Sequence, residues 1–177
     1  ILRCLVGSEM CIRDRLKIGD CVVYSTKGIC RITDVEEKVF DRDKRNYFVL
    51  VPIFDEMSTY YIPQDYDSEK VHINPSLTES EALDLCEYVK TANPLQWITN
   101  PSERKQLFDK IYKSGTRKEK VHLIKAIKDH EAKQKALGKR LYATDERFLR
   151  GCISVVVDEL AFVLGRDRDE LRCELDF

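Results

Sequence analysis

The chain has 177 residues, 43% of them hydrophobic, enough for a real core in one or two domains. Its formal net charge is only −1, so any basic surface must be local. No apolar run approaches the roughly 20 residues needed to span a bilayer, which argues against a transmembrane helix.

Residues 1–15 contain neither an initiating Met nor an apolar stretch of signal-peptide length. They resemble translated vector or adaptor read-through, and a non-native leader is expected there, with the natural start near Leu16. From Leu16 to Pro63, four runs rich in β-branched and aromatic residues follow: 21–24, 29–40, 47–54 and 59–62. Turn chemistry separates them at 25–28, 41–44 and 55–58. Within the second run the alternation slips, because Cys30 and Ile32 share a face but the next apolar positions are Val35 and Val39. Such a slip predicts a bulge, the device by which a small barrel turns a corner. An SH3- or Tudor-like β-barrel is therefore expected over residues 16–75. Val71, His72 and Ile73 could add a last strand, with His72 a structural residue beside it and Pro75 ending the sheet.

The second half reads as helices. Thr78 and Glu81 form a capping box ahead of Ala82, Leu85, Cys86 and Val89 at helical spacing. Asn100 and Pro101 open a second helix that runs to Gly115, where glycine suits a left-handed cap. Thr116 and Glu119 repeat the capping box ahead of Val121, Leu123, Ile124 and Ile127. A long helix with a broad apolar face runs from near Thr144 to Gly165. Residues 167–177 add a short turn of helix or fray. The fold class is α+β in two domains: the barrel, then a compact bundle of about four helices over residues 76–177.

The opening Lys17-Ile18-Gly19-Asp20 with Val22-Val23-Tyr24 and Gly28, then Tyr47-Phe48-Val49-Leu50 and Tyr61-Ile62-Pro63, followed by a helical half with one Trp, resembles the CarD family of bacterial transcription regulators. The same N-terminal module occurs in the transcription-repair coupling factor, and the likeness spans roughly residues 16 to 165. It implies a barrel that docks edge to edge on the β subunit of RNA polymerase, at positions matching Lys38 and Tyr61, with Tyr60 beside them. Lys or Tyr in place of a forked guanidinium loses bidentate pairing, whereas strand addition through backbone groups tolerates the change. For Trp97 the resemblance implies an exposed indole that wedges into the minor groove of promoter DNA at the upstream edge of the transcription bubble.

Residues 101–140 carry 13 Lys or Arg against 5 acids. Arg104, Lys105, Arg117, Lys118 and Lys120 sit near two helix N-termini, where cations oppose the helix dipole at roughly a few tenths of a kcal/mol each. A bound anion would explain that placement. With Trp97, Lys113 and Lys125 they make the candidate DNA-binding set. On the residues alone two plainer readings stay open: the lysines are simply solvated, and Trp97, between Pro94 and Pro101, staples a loop onto the bundle.

Seven scattered cysteines without a Cys-x-x-Cys pair fit reduced thiols in a cytoplasm rather than a disulfide framework or zinc site. No Gly-rich phosphate loop, metalloprotease motif or acid–base constellation around His72, His122 or His130 is visible, so neither an enzyme nor a cofactor nor a metal is expected. The reading is a monomeric, cytoplasmic, nucleoid-associated regulator of transcription initiation, binding RNA polymerase through the barrel and double-stranded promoter DNA through the bundle, and stabilising the open complex. The competing class is a protein-interaction adaptor whose lysine-rich face serves solubility alone.

Overall fold

The computed structural model describes residues 16–40, 43–67 and 70–177. The expected leader and the turn residues Asp41 and Arg42 lie outside them. The chain divides into two compact units between Ser76 and Leu77.

In the first unit, β1 (Cys21–Tyr24), β2 (Gly28–Phe40), β3 (Asp43–Pro52), β4 (Tyr60–Pro63) and β5 (Ile73–Pro75) form one antiparallel sheet in the order β4-β3-β2-β1-β5. This is an open sheet, not the closed barrel that the strand spacing predicts. The edge strands β4 and β5 have only four and three residues, and each ends in a proline, Pro63 or Pro75, that has no N–H to extend a ladder. The last strand also starts later than expected, at Ile73.

The phase change in β2 is a bulge. Its register against β3 shifts between Ile32 and Asp34, where the Thr33 hydroxyl donates to the Val49 carbonyl at 3.3 Å. The extra residue lets Ile32 and Val35 pack on the same core as Val22, Cys30, Phe48, Leu50 and Ile62.

The second unit holds α1 (Glu79–Thr91), α2 (Pro101–Ser114), α3 (Arg117–Ala136), α4 (Ala143–Leu164) and α5 (Arg168–Glu174), the four expected helices and the short terminal one that the sequence left open. Both capping boxes form, and Asn100 caps α2 by accepting from the Ser102 and Glu103 N–H groups. The terminal helix is held rather than frayed, since Asp167 caps it and Leu171 and Leu175 are buried in the bundle core. Gly115 departs from expectation. It is extended, with φ −70° and ψ 151°, and a Cβ there would lie 2.5 Å from the Ile111 carbonyl oxygen, so close approach rather than a left-handed turn requires glycine. Phe108, Leu123, Ile124, Ile127, Phe148 and Leu160 fill the centre. Among the described residues, no helix is long and apolar enough to cross a membrane.

Candidate functional site

Strand alternation sends the two tyrosines of β4 to opposite faces. Tyr60 leans on the sheet's core, edge-on to Tyr24 at 5.9 Å, with the Lys27 ammonium 5.1 Å from its ring centre. Tyr61 is 38% exposed, and the Lys38 ammonium lies 4.7 Å from its ring centre. A hydrogen bond to Glu36, at 2.8 Å, is the main cause that raises the Lys38 pKa, with Tyr61 adding to it. Arg45 stands directly across from Lys38 in the ladder and pairs with Asp65 at 3.2 Å. Lys38 and Tyr61 thus come together at a sheet edge, Tyr60 turns inward, and Arg45 joins them, a residue that strand pattern alone gives no reason to single out. In the described sheet β4 stands at one end of the strand order, beside β3.

In the second unit, the loop between α1 and α2 carries Trp97 and is held at three points. At its start, His122 of α3 places Nδ1 2.5 Å from the Asn93 carbonyl, and its own carbonyl accepts from the Leu95 N–H at 3.0 Å. The other ring nitrogen is 2.7 Å from the Tyr88 hydroxyl, so a neutral imidazole that donates from Nδ1 and accepts at Nε2 satisfies both. In the middle, His130 stacks on the indole, 3.7 Å between ring centres and 12° between planes, while Phe108 meets it edge-on at 6.0 Å. At the end, Arg104 Nη1 donates to the Ile98 and Thr99 carbonyls at 3.0 and 3.2 Å. Its Nε donates to both Asp145 oxygens at 3.2 Å.

Trp97 is consequently half-buried and packed against the bundle core, with one face on His130. Where the resemblance implies an exposed wedge, the indole is half-buried, stapled to the bundle and partly open. Its open side borders a cleft of about 360 Å³ lined also by Gln96, Asp129 and Lys133.

The candidate cations divide into two groups. Arg104 and its partner Asp145 are 4% and 2% exposed. Arg117 makes a two-pronged pair with buried Glu159, 2.7 Å at each contact, and Glu159 also accepts the Leu77 N–H at 3.0 Å. Lys120 is buried, its ammonium reaching back to the Gly115 carbonyl at 2.5 Å, and burial lowers its pKa. These three serve the interior, so no bound anion is needed to explain them. The helix N-termini are likewise closed. Glu119, bonded to the Thr116 N–H and hydroxyl and thereby held below its usual pKa, occupies the start of α3 where an anion was expected.

Lys105, Lys113, Lys118 and Lys125 turn their charge outward in varying degree. Lys113 pairs with Asp109 at 2.7 Å, and Lys118 lies 4.7 Å over the Tyr88 ring. On the helical period, Lys118, His122 and Lys125 share one stripe of α3, the stripe that holds the Trp97 loop. No group of three or more His, Cys, Asp or Glu side chains able to hold a metal occurs among the described residues.

Residues 16–71 match the family model described as the CarD-like/TRCF RID domain. No curated protein matches the chain.

Proposed function

We propose that this chain, a CarD-like protein by its RNA polymerase-interacting domain at residues 16–71, is an initiation regulator that docks on the polymerase β subunit and stabilises the open promoter complex. The edge strand β4 supplies backbone groups for strand addition, with Lys38, Tyr61 and Arg45 setting its chemistry. The helical unit contacts double-stranded promoter DNA at the upstream edge of the bubble, through the accessible part of Trp97 and the outward lysines Lys105, Lys113, Lys118 and Lys125. The chain acts as a monomer in the bacterial cytoplasm.

The Trp97 loop is the observation that carries this reading. An indole whose loop is clamped by His122, His130 and Arg104, and which lines a cleft, is preorganised for contact. An aromatic surface at a strained junction replaces stacking that melting removes, which makes reannealing less favourable. By linkage, the protein shifts the closed–open equilibrium by no more than its differential affinity for the two states. Trp97→Ala is expected to shorten the open-complex lifetime toward that of polymerase alone while polymerase binding stays intact. An unchanged lifetime would sink the assignment.

A second reading, an adaptor that binds proteins only, draws on the inward use of Arg104, Arg117 and Lys120, which thins the basic surface. Fluorescence of the single Trp separates the two: quenching by forked DNA fits the regulator, and a DNA-insensitive signal fits the adaptor.

A further inference from the structure

The segment between α3 and α4 ends on Tyr142, the N-cap residue of α4. Helix starts favour Ser, Thr, Asp or Asn there, because a side-chain oxygen can accept from the first free N–H groups. Tyr142 makes no such bond. It is also 66% exposed, so neither helix capping nor core packing accounts for a large aromatic at this position.

What Tyr142 does touch is Arg104, whose guanidinium carbon lies 5.7 Å from the phenol ring centre and 4.9 Å from the centre of the Trp97 indole. That guanidinium is buried and fixed by Asp145, itself the third residue of α4, and by the Ile98 and Thr99 carbonyls. One immobile group therefore sets the positions of both rings, although 44 residues separate them in the chain. Beside Tyr142, residues 137–141 supply the exposed Lys139 and Arg140 and no acid. Exposed rings for base faces and neighbouring cations for phosphates are the chemistry of single-strand nucleic-acid binding.

We propose that Tyr142 is a second stacking group, set beside Trp97 by the shared Arg104, that takes an unpaired base of the melted strand while Lys139 and Arg140 meet its phosphates. The inference rests on the junction-binding role proposed for Trp97 and adds the strand beyond the junction. It makes the site a two-ring platform in which the indole works at the fork and the phenol works on the first free nucleotides.

The test compares the full-length protein binding to a labelled forked duplex with unpaired arms and to a fully paired duplex of the same length. Tyr142→Ala is expected to weaken fork binding about tenfold and leave paired-duplex binding unchanged, and Tyr142→Phe is expected to retain both, since the ring and not the hydroxyl stacks. Fork affinity unchanged in Tyr142→Ala, or an equal loss on both DNAs, overturns the inference while leaving the Trp97 reading standing. A parent protein that binds fork and duplex alike, with Trp97→Ala behaving identically, overturns both. Matching thermal midpoints of the Ala and Phe variants exclude misfolding as the cause of a difference.

Discussion

Two acids without any motif, Asp145 and Glu159, hold two of the bundle's basic side chains, Arg104 and Arg117, inward. A buried guanidinium without a partner is costly, so Arg104 and Arg117 are held where those carboxylates meet them. The same corner sets the titration of His130. Burial first, and then the nearby Arg104 and Lys133, lower its pKa from the ordinary 6.5, while Asp145 and Asp129 oppose the shift. Because the folded-state pKa lies below the unfolded one, the unfolded chain takes up the proton more readily. The stabilisation is therefore present above pH 6.5 and is lost as pH falls through that value toward the folded pKa. The urea midpoint of the parent is expected to fall between about pH 7.5 and about pH 5.5, and His130→Phe, which keeps a ring against the indole but cannot titrate, should reduce that fall. Identical pH dependence in the two proteins would remove His130 from the account.

At the level of elements, the helix caps obey rules that act over three or four residues, whereas helix–helix approach does not. Gly151 lies inside α4. Propensity alone says that Gly151→Ala should stabilise by roughly 1 kcal/mol. However, a Cβ there would sit 2.7 Å from the ring of Tyr112 on α2, and that ring stands edge-on to buried Phe148 at 6.0 Å, which limits its retreat. Overpacking costs roughly 1–3 kcal/mol, so the clash should win. Gly151→Ala is expected to lower the melting temperature by about 3 °C, and the same substitution in a Tyr112→Ser background should raise it. A rise in both backgrounds would show that the contact yields freely.

For the molecule as a whole, the net charge of −1 conceals both the basic stretch and its partial internal use. Each lysine on a phosphate contributes about 0.9 to the slope of log affinity against log salt for duplex DNA. Lys118→Gln and Lys125→Gln should each flatten that slope by about this amount, while Lys120→Met, which replaces a buried ammonium with an apolar chain of similar length, should leave it unchanged. Equal flattening by all three would mean that the inward and outward groups have been divided wrongly.

Local physics made much of the fold legible: period-two and helical patterning, the Thr78 and Thr116 capping boxes, the bulge after Ile32 and the Gly165 helix stop all depend on neighbours a few residues away. The likeness at residues 16–71 was legible for the same reason, since turn glycines and strand patterns sit in sequence order. Whether the sheet closes was not, because closure depends on two short edges meeting across nine residues of connecting chain and three other strands. Nor was the fate of the candidate cations or of the indole. Arg104 and Arg117 find their carboxylates 41 and 42 positions along the chain, and Trp97, in a loop, finds His130 on α3. Burial and charge pairing over such separations are decided by packing, and only the folded chain brings those partners within a few ångströms of one another.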